Sequence, residues 1–220
     1  MTAATLYLGS KRYSSWSLRG WLACRLAGLT FDEVVIPLDM PETQARIRAI
    51  SPSGRVPCLH HDGHVIWDSL AIGEYCAELA PRLWPAERGA RARARVVAAE
   101  MHAGFVELRR AMFFNVGRTI PGGGRTPAAL ADIDRIARLW ADTRAAHGAG
   151  GPFLFGADFN LADAFYAPIV CRFATWQPEL DAGAQAYVDA VRAHPLVEEW
   201  VAAGRAEPWR SPRYEEAPGP

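Results

Sequence analysis

Apolar and polar residues follow two different periods along this chain, and the change falls near residue 80. Thr5-Leu-Tyr-Leu8 is a strand-length apolar run stopped at Gly9-Ser10, and Phe31-Asp-Glu-Val-Val-Ile36 is a second. Between them Leu18, Leu22 and Leu26 recur every fourth residue, as one face of a helix does, and Gly28 supplies its C-terminal stop. A short polar stretch, about 42–50, reads as helical and leads into Ser51-Pro52. The run opened by Pro57 and the run Val65-Ile-Trp67 then flank His61-Asp-Gly-His64, where Asp-Gly signals a tight hairpin turn. Asp68-Ser69 caps a helix predicted to reach Leu79. The order is βαβ, a short α, then ββα: a parallel crossover unit followed by an antiparallel hairpin.

Beyond Ala80-Pro81 and Trp84-Pro85 no strand is predicted. Val97, Met101, Phe105, Leu108 and Met112 lie four and three apart along one long helix. Pro121-Gly-Gly-Gly124 breaks the chain, and Pro127 opens a further helix to about His147. After a glycine-rich link, Asn160-Leu-Ala-Asp163 reads as a reciprocal capping box. It starts a helix whose Leu161, Phe165, Ile169 and Phe173 share one face. Shorter helices follow near 184–192 and 195–204, and the tail from Glu207 reads as irregular. The expected division is an α/β domain over 1–80, a linker over 81–88 and an all-helical domain over 89–220.

Composition narrows the function classes. Half of the 220 residues are apolar and 22% are charged, as in ordinary soluble globular proteins. Twenty-four basic and 24 acidic side chains cancel, which removes the usual electrostatic case for nucleic acid or an anionic membrane. Cys24, Cys58, Cys76 and Cys171 form no C-x-x-C pair, so they read as reduced, buried thiols rather than zinc ligands or a dithiol couple. His60, His61 and His64 crowd the hairpin, but strand alternation points neighbours to opposite faces, and no metal is expected. Arg88, Arg91, Arg93 and Arg95 read as solvated or dimer-facing. The start of the chain lacks the pattern of a secretory signal, and no run approaches the ~20 apolar residues that span a bilayer. A cytoplasmic protein is expected.

The candidate chemistry gathers at three places. In Tyr13-Ser-Ser-Trp-Ser-Leu-Arg19 a strand feeds a serine cluster at a helix N-terminus, whose unpaired N–H groups and hydroxyls suit an anion such as a thiolate. One serine would be explained by capping alone; three within four residues exceed that need. Asp68 and Ser69 open a second helix, and such a pair suits the ammonium and carboxylate of an amino-acid end. Between them lies Val56. The proline after it lacks an N–H and pushes it extended, with a cis bond accessible, so its backbone is free to pair with a peptide-like ligand.

These residues resemble the glutathione S-transferase family over nearly the whole chain. Tyr-Ser-Ser-Trp-Ser-Leu-Arg resembles the S-S-C-S-x-R motif of its zeta class, which includes maleylacetoacetate isomerases. Asp68-Ser69-Leu-Ala-Ile72 is similar to the family's acidic-or-Gln-Ser glutathione motif, and Asn160-x-x-Asp163 to the capping box of a core helix. The resemblance implies a fold of α/β plus all-α type: a thioredoxin-like N-terminal domain followed by a glutathione-transferase-type helical domain. It implies glutathione as cosubstrate, no metal, a small electrophile and a homodimer. Ser14 would hydrogen-bond the glutathione sulfur, with Ser15 as the alternative. Val56 would pair with the cysteinyl part, Pro57 would be cis, Asp68 and Ser69 would hold the γ-glutamyl end, and Arg55 could reach the glycyl carboxylate. Phe105, Arg109, Met112, Phe113 and Trp176 are candidates for the electrophile pocket, or equally for plain core. Ser17, Arg19, Asn160 and Asp163 read as structural. Three departures stand out. Trp16 replaces the small residue of the zeta motif, Asp68 is a methylene shorter than Glu, and no cysteine opens the first helix. An isomerase or dehalogenase using the same thiolate, and a non-catalytic member that binds a ligand or partner, are the rival readings.

Overall fold

The computed structural model describes residues 4–216. The outermost residues of the expected domain bounds, 1–3 and 217–220, lie outside the described residues. Strand β1 (Ala4–Gly9) runs into helix α1 (Ser15–Ala27), then β2 (Phe31–Ile36), α2 (Thr43–Ile50), β3 (Cys58–His61), β4 (His64–Ile66) and α3 (Ser69–Leu79). The strands form one sheet in the order β2-β1-β3-β4. In it β1 and β2 are parallel, while β3 pairs antiparallel with both β1 and β4. This is the expected thioredoxin-like arrangement. Gly28 ends α1 in the left-handed region (φ 75°), donating its N–H back to Arg25 O. Asp62 (φ 50°) and Gly63 (φ 77°) both take positive φ, which is what a two-residue hairpin turn of this hand demands. The Val56-Pro57 bond is cis, as is Trp67-Asp68.

No strand among the described residues follows Ile66; a lone bridge joins Phe153 and Gly156. After a 3₁₀ turn at Pro81–Leu83 come α4 (Arg88–Ala103), α5 (Val106–Ala111), α6 (Pro127–His147), α7 (Leu161–Trp176), α8 (Ala182–Arg192), α9 (Pro195–Ala206) and α10 (Pro212–Glu215). The single long helix expected through Met112 is in fact two. Gly104 is extended, and Phe105 sits in the left-handed region at φ 59°. A Cβ at Gly104 would lie 2.8 Å from Glu100 O, so only glycine lets the chain turn here. The turn delivers Phe105 to the core. Three of the four arginines of α4 are tied within the chain: Arg91 donates to Pro85 O and Ala86 O, Arg93 to Thr143 Oγ1, and Arg95 to both oxygens of Glu74.

Helix α7 is the axle of the molecule. It is apolar on nearly every side, as a helix buried all round must be, and it packs against α1, α4 and α8. The capping box is present: Asn160 Oδ1 accepts the Ala162 N–H, and Asp163 Oδ2 accepts the Asn160 N–H. Asp163 Oδ1 also accepts from Leu154 N–H and Tyr187 O–H. Burial pushes this carboxyl up to about 6, against the pull of those three donors. Trp21, Trp140, Trp176 and Trp200 are all fully buried.

The tail is less irregular than its sequence implies. Both oxygens of Glu207 accept backbone N–H groups far upstream, from Lys11 at 2.7 Å and Arg12 at 3.1 Å. Tyr13 donates its hydroxyl to Glu215, accepts the Ser211 N–H and stacks on Tyr214 with ring centroids 5.3 Å apart. All four cysteines are buried and free.

Candidate glutathione site

The N-terminus of α1 lies between the sheet and α7. Ser14 is its N-cap, and the cap commits both ends of its hydroxyl. Ser14 Oγ accepts the Ser17 N–H at 3.2 Å and donates to Ser17 Oγ at 2.8 Å. Ser17 Oγ also accepts the Gly9 N–H at 2.9 Å, which welds the helix start to β1, the structural role expected of it. The Ser15 hydroxyl has a different situation. It accepts from Arg172 Nη2 at 3.3 Å, and its own proton is committed to no partner among the described residues. The N–H groups of Ser15 and Trp16 are likewise without a partner there. Three donors therefore converge on the first turn of α1, where the helix macrodipole adds positive potential.

Val56 is half-buried, and its backbone makes no hydrogen bond among the described residues. Pro57 is buried and rests on α1: a Cβ at Gly20 would meet Pro57 Cγ at 2.9 Å. The glycine at this helical position is thus required by close approach rather than by a turn. Arg55 is exposed; its N–H donates to Ser53 Oγ, and its guanidinium has no partner among the described residues. At α3, Asp68 is the N-cap and takes the N–H groups of Leu70 and Ala71 on one oxygen. Its other oxygen lies 3.2 Å from His102 Nε2 on α4. The Ser69 hydroxyl is buried with no partner, and its N–H is also unpaired among the described residues. Unpaired donors at a buried helix start are costly unless something accepts from them.

The remaining candidates separate by burial. Arg109 and Phe113 are partly exposed, whereas Met112 and Trp176 are fully buried and Phe105 nearly so. Trp176 donates its indole N–H to Phe113 O, and the two rings meet edge to face at 4.9 Å. His102, Tyr166 and Arg172 do not stand out in the sequence, Trp16 does so only as a departure from the zeta motif, and Arg19 reads there as structural. Arg19 is buried, with its Cζ 4.8 Å from the Trp16 ring centroid and 5.6 Å from that of Phe165. His102 meets Trp16 edge to face at 5.2 Å. Burial lowers the proton affinity of His102 below the ordinary imidazole value, with Asp68 opposing that shift. The only sequence signal for Arg19 and Arg172 is that α1 and α7 carry a charge among otherwise apolar residues.

The architecture defines a class: a thioredoxin-like sheet whose cis-proline edge and two helix starts face a helical domain. The chain matches the family described as "Glutathione S-transferase, N-terminal domain" over residues 13–79 and "Glutathione S-transferase, C-terminal domain" over 123–203. It belongs to the glutathione S-transferase family. Among curated relatives, "Glutathione S-transferase L1" of Arabidopsis thaliana is 24% identical over 165 residues, 74% of this chain and 64% of that protein. The "Probable maleylacetoacetate isomerase" of Caenorhabditis elegans is 31% identical over 105 residues, 47% of this chain and 48% of that protein. The matched stretch thus spans between about half and two thirds of those relatives. A solved glutathione transferase homologue from Burkholderia, with bound glutathione, is 25% identical with a TM-score of 0.71, covering 94% of this chain and 100% of that one. The theta class glutathione S-transferase of Xanthomonas axonopodis pv. citri, also with glutathione bound, is 25% identical with a TM-score of 0.65, covering 91% and 98%.

Proposed function

We propose that this chain is a glutathione S-transferase that holds glutathione across the α1–Val56–α3 edge and presents its thiolate to a small electrophile. The observation that carries the reading is the convergence of unpaired donors: the Ser15 and Trp16 N–H groups with the Ser15 hydroxyl at one helix start, and the Ser69 N–H and hydroxyl at the other. The first set accepts a thiolate. The second accepts the γ-glutamyl carboxylate, and Asp68 takes the ammonium. The open backbone of Val56 pairs with the cysteinyl residue, next to the cis Pro57, and Arg55 reaches for the glycyl carboxylate. Arg109 and Phe113 face the second substrate, while Phe105, Met112 and Trp176 form the wall behind them. The solved homologues with bound glutathione support the cosubstrate.

Between the two serines, the hydrogen-bond pattern favours Ser15, because the Ser14 proton is committed to Ser17. A free thiol with pKa ~8.5 is only a few per cent ionised at neutral pH, and lowering it by two units takes about 2.7 kcal/mol. One charge-assisted hydrogen bond plus a helix start supplies energy of that order. The electrostatic neighbour of Ser15, Arg172, adds to it.

The reading includes a division at 1–80, 81–88 and 89–220, a cytoplasmic location and a role in detoxification. It also includes a homodimer. Exposed apolar side chains Val65, Trp67, Leu79 and Val96 lie on and next to β4, α3 and α4, the last two tied together by Glu74 and Arg95. No helix among the described residues is long and apolar enough to cross a membrane.

Titrating the thiolate absorbance of the enzyme–glutathione complex against pH tests the assignment. Ser15→Ala raises the thiol pKa and lowers kcat/KM by roughly 10–150-fold, the loss of one hydrogen bond to a charged group. Ser14→Ala acts mainly through helix stability. A shifted titration in Ser14→Ala with an unchanged one in Ser15→Ala returns the role to Ser14. Failure of the wild-type protein to bind glutathione at all overturns the transferase reading.

A further inference from the structure

His102, near the end of α4, is held by four other helices. Its ring meets Trp16 of α1 edge to face at 5.2 Å and lies tilted against Phe165 of α7 at 6.3 Å. Its carbonyl accepts from Arg109 Nη2 of α5 at 3.2 Å. Its Nε2 lies 3.2 Å from Asp68 Oδ2 at the start of α3. An ionised carboxylate only accepts, so Nε2 carries the proton and the imidazole donates. Nδ1 is buried with no partner among the described residues. As a stability device this arrangement is poor. The Asp68 side chain is 54% exposed, so its contact with His102 adds little to folding, while the orphaned Nδ1 costs. An apolar side chain between Trp16 and Phe165 would serve the core better.

The contact has a use at Asp68. One oxygen, Oδ1, is committed to the N–H groups of Leu70 and Ala71, so the helix cap leaves only Oδ2 to act outside α3. A carboxylate oxygen carries two lone pairs, so Oδ2 accepts from His102 and can still meet an ammonium. Asp68 is a methylene shorter than a glutamate would be, and a fixed Oδ2 offsets that loss of reach. We propose that His102 is a positioning residue for glutathione, holding Asp68 Oδ2 against the γ-glutamyl ammonium and so tying that end of the ligand to the helical domain. The role rests on the reading of Asp68 as the partner of the ammonium.

The charge on His102 then governs affinity. When neutral, it donates to Asp68 and leaves the carboxylate's charge to the ligand. When protonated, it neutralises that charge and repels the ammonium. The charged groups facing the ring are Asp68 from α3, Arg19 from α1 and Arg109 from α5. Burial disfavours the imidazolium most, Asp68 favours it, and the two arginines add to burial, so the pKa lies below the ordinary value. Affinity for a ligand bearing an ammonium is therefore full near neutral pH. It falls as pH drops below about 6.5 and through that lowered pKa. Reciprocally, the bound ammonium lowers the His102 pKa further.

The test compares two ligands by calorimetry between pH 5.0 and 7.5: S-methylglutathione, whose sulfur cannot ionise, and its glutaryl analogue, which lacks only the ammonium. In the wild type S-methylglutathione binds tighter, and the ratio of the two affinities falls roughly threefold or more from pH 7.5 to 5.0. In His102→Leu the ratio is about 5–10-fold smaller at pH 7.5 and no longer changes with pH. His102→Gln, whose amide can donate to the same oxygen, keeps the wild-type ratio at pH 7.5 and holds it down to pH 5.0. A merely structural role lowers both affinities together and leaves their ratio alone; that result overturns the proposal, as does a pH-dependent ratio that survives in His102→Gln. If His102→Leu fails to fold, the wild type and His102→Gln decide. Equal wild-type affinity for the two ligands overturns both the Asp68 assignment and the role of His102. A wild-type protein that binds neither ligand overturns the glutathione reading and the role with it, whereas binding of both at a ratio indifferent to His102 leaves that reading standing and overturns the role alone.

Discussion

Replacing Asp163 by alanine should cost this protein a large part of its stability, although the residue touches no substrate. Its carboxylate holds three buried donors: Leu154 N–H at 3.1 Å, Tyr187 O–H at 2.9 Å and Asn160 N–H at 3.1 Å. Each orphaned donor costs about 1–3 kcal/mol, and water entering the vacated space recovers some of it, leaving about 3–5 kcal/mol in total. For a chain of this size that is a fall in Tm of roughly 6–20 °C. Asp163→Asn keeps one oxygen for Leu154 and Tyr187 but sets its amide against the Asn160 N–H, so it costs less, about 1–3 kcal/mol. Both variants also differ from wild type in their pH dependence. The folded pKa, about 6, lies above the ordinary 3.8, so between those values the native state binds a proton that the unfolded chain has released. The contribution is complete below 3.8 and lost as pH rises through 6. At ~1.36 kcal/mol per unit it amounts to about 3 kcal/mol. Urea denaturation at pH 4, 5, 6 and 7 reads both effects: the gap between wild type and Asp163→Asn is widest near pH 4 and narrows towards pH 7. A cost under 1 kcal/mol for Asp163→Ala, or a gap that widens with pH, refutes the account.

Ser69→Ala gives two opposite signs. It removes a buried hydroxyl without a partner, so the free protein is as stable as wild type or slightly more so, while glutathione affinity falls by about 10-fold or more in calorimetry. Gly20→Ala gains helix propensity but drives a methyl to within 2.9 Å of Pro57 Cγ, displacing Val56; net destabilisation of about 1–3 kcal/mol with weaker glutathione binding is expected in paired melting and binding measurements. A homodimer of the 24.1 kDa chain sediments at about twice that mass at micromolar concentration, and Trp67→Glu shifts it towards monomer; a wild-type monomer rules the dimer out.

Local chemistry made much of this molecule legible in its sequence. The stops at Gly28 and Asp62-Gly63 need positive φ, and the Asn160-x-x-Asp163 box satisfies helix donors within four residues, so both could be read without tertiary context. The break at Gly104-Phe105 could not. The apolar spacing continues across it, and what forces the turn is the core position of Phe105, a property of packing. The surroundings of His102 were hidden for a related reason. Trp16, Asp68, Arg109 and Phe165 are scattered along the chain and only the docking of α1, α3, α5 and α7 brings them to it, so His102 alone looks like one more residue of α4. The hydrogen bond from Ser14 to Ser17, on which the proposed choice of Ser15 over Ser14 depends, was equally out of reach.

Glu207 places a clock on the protein. The N–H groups it accepts, on Lys11 and Arg12, leave the ribosome 196 and 195 residues earlier. At ~5–20 residues per second, the segment feeding the first turn of α1 therefore waits roughly 10–40 s with those groups facing water. The β1–α1–β2 unit has all it needs to pair in that interval, but Tyr13 and its neighbours gain their last contacts only when residues 207–215 arrive. A half-made chain would thus carry the glutathione edge in a looser form than the finished one, and nascent chains stalled before residue 207 would be cut by protease near Lys11 and Arg12, where the complete protein resists.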